Sequence, residues 1–371
     1  MTKIMKRVIT RIAIMDLYYG KSGKLGFYNS QAVGLAKAYS EKGYEVFIVR
    51  PEKNISEIVE QELENKIRLL SVPARVFGVH SFYDLKFLLN YKIDLVHLNS
   101  DNQAYVPAVI KYCKKNNIYQ YNYVGTLYSD SENQLKQFLM KFFSLRAIRS
   151  YRKSTTFVKT NHVFELMKEK GVSNAKVVPV GLDFDVIPVI RETKDECREQ
   201  LGLPLDKRIL LYVGRLAEYK NPLDALEVLN KLSENYMLVV IGNGELKETF
   251  LKKIDNLNLN SRVKYIEAIP NVEIHKYYKA ADCFVNFNYQ EIFGMSILEA
   301  FYQACPVVAR HAPGPDTIVT QGETGFLCDT VDEMCKKIEL INSDIGLKGR
   351  QRVKECFSWK AASEAFLEEF T

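Results

Sequence analysis

RILLYVGRLAEYKNP, residues 208–222, reads as a strand, a glycine, a short cationic loop and the start of a helix. Ile209–Val213 is apolar, Gly214 ends the run, Asn221 is placed to cap a helix and Pro222 to occupy its first turn. Arg215 and Lys220 therefore lie on a βα loop at the carboxyl end of a strand. That rim is where open α/β sheets bind ligands. An arginine fork suits phosphate oxygens and a lysine adds a point charge, although two loop cations also fit a plain solvated surface.

A second strand–loop–helix unit lies about 70 residues downstream. Cys283–Phe287 reads as a short buried strand, and Gln290-Glu291-Ile292-Phe293-Gly294-Met295-Ser296-Ile297-Leu298-Glu299-Ala300 follows it. Met295, Ile297, Leu298 and Phe301 are apolar at helical spacing, so Gly294 marks a helix N-terminus with unpaired amides. Glu291 falls just outside that helix and Glu299 about two turns in. Two acceptors at different depths suit a long ligand with hydroxyls at both ends, such as a sugar nucleotide. A loop glutamate and an exposed helix glutamate are the plain alternative.

The same alternation runs through the chain and implies α/β architecture with parallel sheets. Strands are expected at Val8–Met15, Tyr44–Val49, Lys66–Leu70, Asp94–Leu98, Tyr119–Val124, Thr155–Lys159 and Lys176–Val180. Helices are expected over 31–41, 81–90, 102–116, 131–153 and 161–170. A less regular stretch with Pro188 and Pro204 places an interdomain linker at 182–206. Strands then recur at 208–213, 236–241, 262–266, 283–287 and 306–309, with helices at 331–342 and 358–369. The expected division is 1–181, the linker, 207–357, and a C-terminal helix at 358–371. With 371 residues and 47% hydrophobic composition, the chain is too long for one ordinary core.

Composition excludes several classes. The seven cysteines are scattered, with no CxxC pair, and the five histidines show no metal-ligand spacing. No apolar run reaches the length of a signal peptide or a membrane span. Charge is uneven: residues 1–180 carry 28 Lys and Arg against 15 Asp and Glu, a net of +13, and the rest carries a net of −7. A basic first half suits an anionic partner. No recognised nucleic-acid-binding motif is present, which leaves an anionic membrane surface or a phosphate-bearing lipid, or simply a soluble basic domain. Together these features point to the cytoplasm, with the inner face of the plasma membrane as the surface the basic half would meet. His97, at the end of a buried strand, reads as a core residue or a substrate contact.

Gly214-Arg215-Leu216 through Lys220-Asn221, combined with Glu291-x7-Glu299 enclosing Phe293-Gly294, resembles the retaining glycosyltransferases of family 4. The resemblance covers nearly the whole chain. It implies the GT-B fold: two Rossmann-like domains facing a central cleft, with the last helix crossing back to the N-terminal, acceptor-side domain. It assigns Arg215 and Lys220 to the donor diphosphate, Glu291 to the hydroxyls of the transferred sugar, the amides of Phe293, Gly294 and Met295 to sugar and phosphate, and Glu299 to the ribose. Gly214 and the turn Gly242-Asn243-Gly244 belong to the same rim, and the loop with Ile269 would hold the base. Ala312–Asp316 and Gly322–Leu327 read as structural turns. The family usually has adjacent glycines where this chain has Gly26-Phe27, and a histidine where it has Tyr128; Ser129 and Asp130 are the nearby substitutes. Gly26, Tyr128 and Asp130 are thus candidates for sugar or acceptor contact.

The resemblance further implies a uridine diphosphate sugar as donor, with guanosine diphosphate next, and a hydroxyl acceptor, lipid-linked or polymeric, in cell-envelope synthesis. It implies no metal cofactor, front-face attack and domain closure over the substrates. A GT-B phosphorylase, a nucleotide-sugar epimerase and a non-catalytic nucleotide-sugar-binding protein are the alternatives.

Overall fold

The computed structural model describes residues 8–19, 30–101, 103–127 and 144–370. Its contacts divide the chain into two compact units, one formed by Met1–Asp183 with Trp359–Thr371 and the other by Phe184–Ser358.

In the first unit, strands β1 (Arg11–Asp16), β2 (Glu45–Glu52), β3 (Val59–Glu64), β4 (Ile67–Pro73), β5 (Arg75–Phe77), β6 (His80–Phe82), β7 (Leu95–Asn99), β8 (Tyr119–Val124), β9 (Thr155–Val158) and β10 (Ala175–Val177) follow in order. Among the described residues, eight of them form one sheet in the order β10-β9-β8-β7-β1-β2-β4-β3. Ile12–Met15 are completely buried, as a central parallel strand covered on both faces must be. The chain builds outward from β1 to β2 and β4, then returns to lay β7 on the other side of β1.

Two expectations change here. The segment 81–90 is not one helix: β5 and β6 form a hairpin, and only Phe87–Asn90 is helical. Strand β3 was not expected, because VEQELE has almost no apolar face; it pairs antiparallel with β4 at the sheet edge, where its exposed glutamates discourage further pairing. The C-terminal helix Trp359–Leu367 belongs to this unit. Its Phe366 is fully buried, with ring centroids 4.9 Å from Tyr121 and Phe157 and 5.1 Å from Tyr123.

The second unit holds β11 (Arg208–Val213), β12 (Tyr236–Ile241), β13 (Val263–Ile266), β14 (Cys283–Asn286), β15 (Val307–Arg310) and β16 (Gly325–Cys328). Among the described residues they form an all-parallel sheet ordered β13-β12-β11-β14-β15-β16. Strand order reverses between β11 and β14, and that switch point defines the ligand-binding edge of such a sheet. The expected linker 182–206 is not irregular throughout. It contains helix Lys194–Leu201, started by a capping box in which Thr193 and Glu196 satisfy each other's backbone amides, and it packs within this unit.

Candidate active site

The loops after β11 and β12 are interlocked through their backbones. Gly214 N donates to the Ile241 carbonyl, Leu216 N to that of Asn243, and Leu246 N to that of Leu216, all near 3.0 Å. A Cβ on Gly242 would fall 1.8 Å from the Gly214 carbonyl oxygen, so only glycine permits this approach. Tyr212 and Tyr265 complete the frame, their hydroxyls donating to the carbonyls of Arg215 and Gly242 at 3.1 and 3.0 Å. Arg215 projects from this frame. Its side chain is 64% exposed and lies 3.2 Å from Glu245. Asn243 Nδ2 donates to Glu267 at 2.6 Å, and Ile269 is half-buried beyond β13.

Lys220 and Glu291 meet across the switch point. Lys220 Nζ donates to Glu291 Oε2 at 2.6 Å, although the two residues are 71 positions apart. Asn288 Nδ2 donates to the same oxygen at 3.1 Å. Glu291 Oε1 has no protein partner among the described residues. The loop is preset by Asn286 and Asn288, whose side chains accept from the amides of Asn288 and Gln290 at 3.0 and 2.9 Å. Asn221 departs from its expected role: it has φ 46 and no side-chain cap, and instead its Nδ2 donates to the Phe287 carbonyl at 3.2 Å. It thereby ties the β11 loop to the β14 loop. Pro222 does occupy the first helical turn.

Helix Met295–Tyr302 starts at Gly294, so Glu299 lies just over one turn into it and not two. Gly294 has φ 101, and its carbonyl accepts from the amides of Ile297 and Leu298. The amides of Met295 and Ser296 precede any intrahelical acceptor and face the helix mouth. Phe293 is buried, and its carbonyl abuts Gly314, whose N donates to the Glu291 carbonyl at 2.8 Å. Glu299 is half-buried and accepts from Tyr278 Oη at 3.2 Å. Desolvation pushes its carboxyl up to about 7, against the lowering effect of that hydroxyl.

Sequence reading missed Asn288, Tyr212 and Tyr278. The Asn286-x-Asn288 spacing before Glu291 is the one local signal for that loop; Tyr212 lies on β11 only three residues before Arg215, whereas Tyr278 enters from a separate helix. Gly26, Tyr128, Ser129 and Asp130 lie outside the described residues, as does most of the expected helix 131–153, of which 144–151 is helical. In the first unit His97 is buried and hydrogen-bonded, and burial lowers its ring to about 3, so it is neutral. The described cysteines are all free. Among the described residues, no cluster of three or more His, Cys, Asp or Glu is arranged for a metal, and no helix is long and apolar enough to cross a membrane.

Solved structures share this architecture end to end. Sucrose-phosphate synthase from Thermosynechococcus elongatus superposes with a TM-score of 0.73 at 19% identity, covering 97% of this chain and 98% of that one. Anabaena Alr3699/HepE, solved in complex with UDP, superposes with a TM-score of 0.71 at 15% identity over 98% and 99%. The fold is therefore GT-B, and the class is glycosyltransferase. Residues 193–355 match the family model for glycosyl transferases group 1. Alpha-monoglucosyldiacylglycerol synthase of Acholeplasma laidlawii is 22% identical over 335 residues, 83% of each chain. Further curated relatives at 28–31% identity are matched over about half of their own length.

Proposed function

We propose that this protein is a retaining, front-face glycosyltransferase. It moves a hexose or N-acetylhexosamine from a nucleoside diphosphate sugar, uridine diphosphate first and guanosine diphosphate next, to a hydroxyl acceptor in cell-envelope polysaccharide or glycoconjugate synthesis. The observation that carries this reading is the Lys220–Glu291 contact at the switch point of the second sheet. One Glu291 oxygen anchors the ammonium and the Asn288 amide, which leaves Oε1 for sugar hydroxyls and the remaining ammonium protons for a phosphate. UDP in the Anabaena neighbour and the glucosyl lipid in the name of the Acholeplasma relative support the donor and acceptor classes.

In this reaction the bond between the anomeric carbon and the phosphate oxygen breaks, and the acceptor oxygen bonds to that carbon on the same face. The acceptor proton passes to the departing diphosphate. Negative charge therefore grows on the diphosphate, where Arg215, Lys220 and the first-turn amides of helix Met295–Tyr302 are stabilising. With that charge supplied by side chains, the leaving group needs no divalent ion. The basic first unit is the acceptor side, and an anionic membrane surface is its partner.

A thermal-shift panel of nucleotide sugars, followed by nucleoside diphosphate release with and without acceptor lipids or glycans, tests the proposal. Acceptor-dependent release of UDP or GDP is expected. Phosphate-dependent turnover without nucleotide would reassign the protein to the phosphorylases. Tight donor binding with no turnover on any acceptor would make it a binding protein.

A further inference from the structure

The carboxyl ends of β1, β2 and β7 carry a polar cluster that the donor reading does not use. Asp16 ends β1, Asn99 ends β7, and Arg50 stands near the end of β2, so all three sit at or beside the switch point of the first sheet. A chain of hydrogen bonds reaches Asp16 through the core, and its direction is fixed by donor chemistry. Asn99 Nδ2 donates to Asp16 Oδ1 at 2.7 Å, so Asn99 Oδ1 accepts from His97 Nε2 at 3.1 Å. The neutral His97 ring then accepts at Nδ1 from the Tyr121 hydroxyl at 2.6 Å, and Tyr121 accepts from Tyr39 at 2.6 Å. Tyr39, Tyr121 and His97 are all buried. This chain holds one carboxylate oxygen of Asp16 and leaves the other facing Arg50.

Arg50 does not close on it. Arg50 Nε stands 4.0 Å from Asp16 Oδ2, beyond hydrogen-bond range, and the arginine side chain is only 14% exposed. Its Nε and Nη2 are buried and have no hydrogen-bond partner among the described residues. An arginine serving only to neutralise Asp16 would approach in the usual bidentate fashion. Here a rigidly held carboxylate and a fork with two donors unmet among the described residues stand side by side at a ligand-binding edge. The surrounding half of the chain carries a net charge of +13, which draws anions toward it.

We propose that Arg50 and Asp16 form an acceptor-recognition site: the Arg50 fork binds an anionic group, phosphate or carboxylate, while Asp16 Oδ2 accepts a hydrogen bond from an acceptor hydroxyl. This rests on the glycosyltransferase reading, since only that reading makes the ligand an acceptor. A soluble phosphorylated polyol and the headgroup of an anionic lipid share this chemistry.

The test uses the full chain saturated with UDP, so that the donor cations are occupied. Glycerol 3-phosphate and glycerol are titrated by calorimetry, and flotation is run with vesicles of phosphatidylcholine with and without phosphatidylglycerol. Saturable binding of glycerol 3-phosphate is expected, at least about tenfold tighter than glycerol and weakened at least about tenfold in Arg50→Gln, in line with loss of a charge-assisted contact. Arg50→Lys keeps the charge without the fork and should fall between them; it decides the matter if Arg50→Gln does not fold. Arg50-dependent binding of vesicles but not of glycerol 3-phosphate would name the lipid headgroup as the source. Wild-type affinity for both probes in folded Arg50 variants would overturn the proposal, as would binding of neither probe by the wild type. UDP affinity is read in the same samples: its absence defeats the donor reading, whereas intact UDP binding with Arg50-independent anions defeats only this inference.

Discussion

Lys220 has one side-chain acceptor among the described residues, Glu291 Oε2, so its ammonium is oriented by the carboxylate expected to hold the sugar. Glu291→Gln should therefore impair transfer more than it impairs nucleotide binding, because it weakens both the sugar contact and the placement of the cation. Lys220→Ala should lower turnover at least about 100-fold, as loss of a preorganised charge-stabilising donor does. Arg215, more exposed and paired with Glu245, should show the same direction. Steady-state kinetics with UDP affinity measured alongside checks all three; near wild-type rates for both cation variants would remove the phosphate site. Glu299 has a pH signature. Its folded carboxyl titrates near 7 against an ordinary 4.5. The folded protein thus holds this proton to higher pH than the unfolded chain, so stability falls between about pH 4.5 and 7 and the full cost, about 3 kcal/mol, applies above that range. Glu299→Gln should raise the melting temperature at pH 8 and change little at pH 4. If ribose hydroxyls donate to this carboxylate, UDP affinity should rise from pH 6 to 8 in the wild type and stay flat in the variant.

Element by element, the site is a set of strand–loop–helix units whose loops touch through backbone atoms. Gly242→Ala would drive a methyl into the Gly214 carbonyl and push apart the loops that carry Arg215 and Asn243. A loss of about 1–3 kcal/mol is expected, the scale of overpacking, with weaker UDP binding, measurable by chemical denaturation and calorimetry. Local patterns read well where they were strong. Strands β8, β11 and β12 and helix Gln31–Glu41 fall at the expected residues, because apolar runs or helical spacing end at clear breakers. Helix Ser343–Cys356 and strand β16 were not legible. That helix carries two glycines and little apolar face, and Gly346 is required only because the Ala304 carbonyl lies 2.1 Å from where its Cβ would stand. Such a constraint exists only once the neighbouring element is in place.

For the whole molecule, the C-terminal helix joins the first unit from the far side of the second in sequence. Phe366 is sequestered among His97, Tyr121, Tyr123 and Phe157, residues of β7, β8 and β9. Phe366→Ala should cost about 3–5 kcal/mol and lower the melting transition of the first unit before that of the second. Calorimetry should resolve two transitions, because each unit has its own sheet and core. A single unchanged transition would contradict that division.

The amino-acid order alone determined the α/β class and the placing of Arg215, Lys220 and Glu291 on βα loops and of Glu299 within the helix that follows, since strand, breaker and helix signals are carried by neighbouring residues. Tertiary structure alone decided which of them meet. Lys220 pairs with Glu291 across 71 positions, and Asn99 with Asp16 across 83, because sheet topology brings the ends of β11 beside β14 and of β1 beside β7. A switch point is a property of strand order, and strand order follows from packing many elements at once, which no single stretch of chain encodes.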